Sequence, residues 1–315
     1  MGDARRGRLC SGVHTARCWL SRQLQGLERE GQWWMLPVIL VVTMGVAFVP
    51  HAGIDFFRVF YRAEAGDLTG FYYPQWALAL LKIYDPLPPQ WALTVFLLTQ
   101  SLCLVVATRY FGGDLRLAFL NYVFLYLLMY GQFDGLPILG LVLLSWGLER
   151  DRLGLAGLGL SLALTKPQVG GALALYELAR KPRWQPVAVA AGVALASLVV
   201  WPGWPADLLH RLANQPPNTL GNLSLWPLVG PCALLLWLPP LLLPMGMARR
   251  RVLLAACSAL ALPYFQPASL FLLFVMPAGL APLLTNVGFL YTILSWNALP
   301  LLALAPAAAY VWRLS

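Results

Sequence analysis

Charged side chains are scarce in this chain: 11% of its 315 residues are Asp, Glu, Lys or Arg, while 59% are hydrophobic. Soluble domains carry roughly a quarter charged residues. Surface shrinks too slowly relative to volume for one water-soluble core to hide such an apolar surplus, so a soluble globular fold is excluded. Histidine occurs three times and cysteine five. Cys10, Cys18, Cys103, Cys232 and Cys257 show neither the paired spacing of a zinc site nor a disulfide framework. No metal and no cofactor is therefore expected. The alternation of polar and apolar residues that marks membrane barrel strands is also missing. The first apolar run, 35–49, closes on Pro50-His51 without a small-residue cleavage site, so no cleavable signal is expected.

What the chain does have is long apolar runs, recurring from Met35 almost to Ser315. A membrane-crossing helix needs about 20 largely apolar residues. The 25 Pro and 27 Gly are tolerated in a membrane bundle, where neighbouring helices re-satisfy freed backbone groups. The expected fold is all-α, a polytopic transmembrane bundle of about 10–12 helices. Spans are expected near 35–51, 87–108, 116–131, 136–149, 153–166, 169–179, 185–202, 227–247, 252–266, 268–284 and 287–312. Residues 1–32 read as a basic cytoplasmic arm and 33–315 as the membrane domain.

The net charge of +9 does not point to nucleic acid, because the basic residues punctuate the apolar runs. With the N-terminus inside and the spans alternating, sixteen Lys or Arg fall on the inner side, including Arg150, Arg152, Arg180, Lys181, Arg183 and Arg249 to Arg251. Five fall outside, namely Arg58, Arg62, Lys82, Lys166 and Arg211, with Arg313 unassigned. Positively charged loops stay in the cytoplasm, so this orientation is expected. It places Asp55, Glu64, Asp67, Asp85, Asp134 and Asp207 on the outer side, with long outer loops at 52–86 and 203–226. Chemistry is expected at that outer surface.

Three outer constellations carry polar chemistry. In His51-Ala-Gly-Ile-Asp55, a carboxylate follows the first span, and Phe56, Phe57, Phe60 and Tyr61 come after it at helical spacing. That spacing predicts a helix lying in the interface plane. Asp55 is either a general base or an N-cap carboxylate for that helix. In Gly131-Gln132-Phe-Asp134 and Lys166-Pro-Gln168, an outward Asp and an outward Lys either face one cavity or form a structural ion pair. The loop Asp207-Leu-Leu-His210-Arg211 continues to Asn214, Asn218, Asn222 and Ser224. Its Arg suits phosphate, and its amides suit hydroxyls. The alternative is a solvated connection with Trp201, Trp204 and Trp226 as interfacial anchors. Gly154, Gly157 and Gly159 have the small-residue spacing of packed membrane helices.

Taken in order, these landmarks resemble a known family. Asp55, then Gly70-Phe-Tyr72-Tyr73-Pro74, Asp85-Pro-Leu-Pro88-Pro89, Gly131-Gln132-x-Asp134, Lys166-Pro-Gln168 and Gly221-Asn222-Leu-Ser224-Leu are similar to motifs of the polytopic GT-C glycosyltransferases. The nearest likeness is to the polyprenol-phosphate-mannose-dependent mannosyltransferases (glycosyltransferase family 87) and the GPI-mannosyltransferase-like proteins. The late loop Pro263-Tyr-Phe-Gln-Pro267 lacks a His that such enzymes often carry. The resemblance implies an inverting, metal-independent hexosyl transfer from a polyprenyl-phosphate-linked donor to a lipid or glycan acceptor on the extracytoplasmic face. It implies Asp55 as base, Lys166 and Arg211 at the donor phosphate, and Gln132, Asp134, His210 and Asn222 at sugar or acceptor hydroxyls. Two other classes remain open: a multi-spanning transporter or lipid flippase, and a non-catalytic membrane assembly partner.

Overall fold

A computed structural model describes residues 31–64, 66–214, 222–280, 283 and 286. Almost all of the N-terminal arm, Gly221, Asn218 and the expected span 287–312 lie outside the described residues. Among the described residues the regular elements are all helical.

The chain opens with α1 (Met35–Ala47). A loop follows, containing a π-helical turn, Phe56–Phe60, that runs into the single turn α2 (Tyr61–Glu64). After α3 (Trp76–Leu81) comes the longest helix, α4 (Pro89–Phe111). Pro at its first position and left-handed Gly112 (φ 86°) after its last match the usual start and stop signals of a helix. Next are α5 (Leu115–Phe119), α6 (Tyr122–Tyr130), α7 (Gly135–Glu149), α8 (Leu153–Ala163) and α9 (Pro167–Arg180). Then come α10 (Trp184–Val200), α11 (Trp204–Asn214) and α12 (Trp226–Val229), followed by a 3₁₀ stretch, Gly230–Trp237. The described part closes with α13 (Leu238–Leu242), α14 (Met247–Ala261), a 3₁₀ turn at Pro267–Leu270, and α15 (Phe271–Phe274).

Several expected spans are shorter or broken. The run 116–131 divides at Asn121, whose side-chain oxygen accepts from Phe124 N (3.0 Å) while its amide donates to Leu117 O (2.8 Å). One residue thereby ends α5 and caps α6. The run 227–247 contains Pro227, Pro231, Pro239 and Pro240, each lacking a backbone donor, and it folds as three short pieces. Among the described residues one helix, Pro89–Phe111, is long and apolar enough to cross a membrane. The number rises to as many as three if α6 with α7, bent by 114°, and α10 with α11, bent by 86°, each count as one span.

The ends of the longer helices gather at two rims, as their contacts show. At one rim Gln32 accepts from Leu115 N (3.2 Å), Tyr110 donates to Glu149 (3.1 Å), Arg183 meets Asp151 (3.3 Å), and Arg251 meets Glu177 (2.6 Å). At the other, Gln90 donates to Ala47 O, Gly53 N to Met129 O (2.8 Å), and Leu223 N to Phe265 O (2.9 Å). Between the rims α7 and α8 lie almost backbone to backbone. A Cβ on Gly140 would sit 2.4 Å from Ala163 N, and one on Gly159 would sit 2.4 Å from Leu144 N. Small residues permit this approach and so maximise dispersion contacts. Of the three glycines singled out in the sequence, Gly159 packs on α7 and Gly157 on Val189 of α10, whereas Gly154 faces open space.

Candidate functional site

The site is assembled where the loop after α1 crosses the C-terminal end of α6. Gly131 ends α6 in the left-handed conformation (φ 66°), which a side chain adopts only with strain. A Cβ there would meet Phe56 Cβ at 2.8 Å and Gly53 Cα at 3.0 Å. Gly53 is left-handed too (φ 72°). Two backbones without side chains at their crossing can touch, and that contact sets Asp55 beside Gln132.

Phe56 and Phe60 wedge the turn in place. Both are 2% exposed and pack on Phe96, with ring centroids at 4.9 and 6.2 Å, and Phe60 also meets Phe133 at 5.4 Å. The aromatic stripe expected to lie in the lipid interface is thus turned inward at these two positions. The reason is that Phe96 and Phe133 offer it a closed aromatic core. Asp55 stands at the cap position of the π turn, yet its side chain makes no capping hydrogen bond. The N-cap alternative is set aside, and the carboxylate accepts instead from the Gln132 amide.

Behind Asp55 runs a buried polar chain. Lys166 donates to Gln132 Oε1 (3.3 Å) and to Asp134 Oδ2 (2.8 Å), and Ser269 donates to Asp134 Oδ1 (2.7 Å). Gln132 is 1% exposed, and Asp134 and Lys166 are fully buried. An unpaired ion at such depth would be strongly disfavoured, so each charge requires the other. Lys166 occupies the position before Pro167, the first residue of α9, and the Pro biases it away from helical geometry.

In front of Asp55 lies a cavity of about 240 Å³. Tyr72, Tyr73, Gln168, Tyr264 and Gln266 line it with Asp55, over a floor of Val59, Phe60 and Gly70. Small-molecule pockets usually measure about 300–1,000 Å³, so this space suits one ring or headgroup rather than a whole lipid. Its walls offer aromatic faces and amides, the surfaces that suit a polyhydroxylated ring. Burial pushes the Asp55 carboxyl above the usual carboxylate range; Lys166, Arg58 and the Gln132 hydrogen bond pull it back, and Asp134 adds to the rise. Burial also raises the Tyr73 phenol well above its ordinary value.

Asp55, Gln132, Asp134 and Lys166 are therefore brought together, but not all in the expected roles. Lys166 is not among the residues lining the cavity; its ammonium is spent on Asp134 and Gln132 within the wall, so the ion-pair alternative is the one observed. Asp134 is likewise occupied by Lys166 and Ser269. Asn222 uses its whole side chain on backbone: it donates to Pro263 O (3.0 Å) and accepts from Ser224 N (3.1 Å) and Phe265 N (2.9 Å). It pins the loop that carries Tyr264 and Gln266 instead of offering its amide to a hydroxyl. His210 and Arg211 sit on α11, also away from the cavity lining, and exposed His210 pairs with Asn214 (3.1 Å).

Tyr72, Tyr73 and Gln168 stood inside sequence motifs without an assigned role. Ser269 left no sequence signal, since it meets Asp134 across 135 residues of chain. Set beside known protein families, curated proteins and solved structures, the chain shows no significant match.

Proposed function

We propose that the protein is a multi-pass membrane glycosyltransferase that moves a hexose, mannose being the first candidate, from a polyprenyl-phosphate donor to a lipid or glycan acceptor. The observation that carries this reading is the uncapped Asp55 carboxylate, held by Gln132 at the wall of a ring-sized cavity. A membrane setting is supported by α10, whose 17 residues are nearly all apolar, while Val199 is 84% exposed and Leu195 63%. Such a helix in water would leave a large apolar face wetted. The basic rim belongs in the cytoplasm by the charge rule, which puts the N-terminus inside and the Asp55 rim outside.

The acceptor hydroxyl attacks the anomeric carbon from the face opposite the phosphate. A C–O bond forms to the acceptor, the bond from the anomeric carbon to the phosphate oxygen breaks, and its electron pair leaves with the lipid phosphate. The hydroxyl proton passes to Asp55, and the configuration inverts. A phosphate leaves without prior protonation, so one base suffices. Asp55 Oδ2 is engaged by Gln132, which leaves Oδ1 for the proton. Arg58, exposed on the same turn and electrostatically coupled to Asp55, supplies the positive charge that buried Lys166 does not present. Arg211 on α11 would reach the phosphate only from outside the cavity lining.

The test is turnover of a panel of lipid-phosphate sugars by the purified protein in lipid. Donor-dependent transfer that is lost in Asp55→Asn supports the reading. A second reading, a transporter, draws on the sharp break between α6 and α7, since broken helices mark transporter sites. Substrate flux in proteoliposomes without donor turnover would favour it.

A further inference from the structure

We infer that Lys166 and Asp134 are positioning residues, which together decide which side of the Gln132 amide meets Asp55. The inference rests on the reading of Asp55 as the base. A carboxamide has two ends of similar shape and opposite polarity, and an unrestrained Gln can present either one. An ammonium can only donate and an ionised carboxylate can only accept, so this chain has a single permitted direction. Ser269 and Lys166 donate to Asp134, Lys166 donates to Gln132 Oε1, and Gln132 Nε2 is left to donate to Asp55. Turned over, the amide would place its carbonyl against the Asp55 carboxylate and its NH₂ against an ammonium. Both contacts would repel.

Neither Asp134 nor Lys166 touches the cavity, and both are wholly buried. Their direct electrostatic effects on Asp55 oppose each other, Lys166 favouring the ionised form and Asp134 the neutral one. The pull of Lys166 is the stronger of the two, and what the pair adds beyond that direct pull is the orientation of the amide. The other charge acting on Asp55 is Arg58 on its own turn, and the Asp55 carboxylate itself bears on the phenols of Tyr73 from the loop before α3, Tyr264 from the loop after α14, and Tyr126 on α6.

The test uses the full chain in lipid. The infrared band of the protonated Asp55 carboxyl, identified by its loss in Asp55→Asn, is followed against pH. Replacing both charges, in Lys166→Met/Asp134→Leu, frees the amide to turn. The protonation midpoint should then rise by about one pH unit, the scale on which one hydrogen bond or charge moves a carboxyl. The acid limb of sugar transfer should move with it. In a Gln132→Leu background the same double change should move the midpoint less, leaving only the direct pull of Lys166, and that shortfall in the double-mutant cycle reads the coupling through the amide.

An unmoved midpoint in the double variant, or an equal shift with and without Gln132, would overturn the proposal. Should the double variant fail to fold, Gln132→Leu leaves the ion pair intact and should itself raise the midpoint; no rise there overturns the proposal as well. Sugar transfer that survives in Asp55→Asn would instead sink the base reading, while the infrared midpoint continues to decide the positioning.

Discussion

Two carboxylate centres, one buried and one half-buried, sit at opposite rims of this molecule, and they are built to different ends. At the basic rim Glu177 is 2% exposed, and both its oxygens are taken by arginines: Oε2 by Arg180 (2.7 Å) and Oε1 by Arg251 (2.6 Å). Glu149 joins through Arg180 (3.7 Å) and Tyr110 (3.1 Å). Arg251 also lies over the Phe111 ring at 5.4 Å. That cluster ties the ends of α4, α7 and α9 to the start of α14 and leaves its central carboxylate nothing further to bind. At the other rim Asp55 meets a neutral amide through one oxygen and faces a cavity, while the ammonium that could have neutralised it is diverted to Asp134. A saturated carboxylate locks helices together. One held by a single amide keeps an oxygen free for chemistry.

The widest separation between the two centres should come from Asp55→Asn. Sugar transfer should fall by about 10²–10⁴-fold, the usual worth of a general base, with normal membrane insertion. Thermal stability at neutral pH should hold or rise slightly. Burial raises the Asp55 pKa, so the fold favours its neutral form, and that preference becomes a cost once pH climbs past the raised value. For the same reason the wild-type activity should decline with acidity from a pH above 3.8, the ordinary carboxylate value. A pH–rate profile reads this directly.

Glu177→Gln should do the opposite. It leaves Arg251 without its carboxylate and Arg180 with Glu149 alone, and unfolding measurements should show a loss on the order of 3 kcal/mol. The kcat of the protein that remains folded should be unchanged. Gly131→Ala lies between the two kinds of effect. Its left-handed backbone and the 2.8 Å approach to Phe56 should cost about 1–3 kcal/mol, and separating Asp55 from Gln132 should slow transfer as well. Smallest of all, Arg183→Ala removes a pair with Asp151 in which both side chains are more than half exposed. Stability there should change by less than about 0.5 kcal/mol.

The polar chain between Asp55 and Ser269 also separates what could be read from residues from what could not. Asp134 and Lys166 stood out early because lone charges beside long apolar runs demand partners, and they are each other's partner. Asn222 was legible as a polar residue in an outer loop but not as the clasp of residues 263–265, because the partners of a side chain depend on which loop lands beside it. Phe56 and Phe60 carry a helical period that reads equally well as an interface stripe or a core face. Phe96 and Phe133, distant in sequence, choose the core.

The helical, apolar character of the chain follows from composition and local order alone. Backbone hydrogen bonds must close within short stretches where apolar runs offer no other partner. Which carboxylate is saturated and which keeps a free oxygen was decided only when the helices packed. That choice depends on contacts such as Gly53 on Gly131 and Ser269 on Asp134, made between segments that local patterns do not relate.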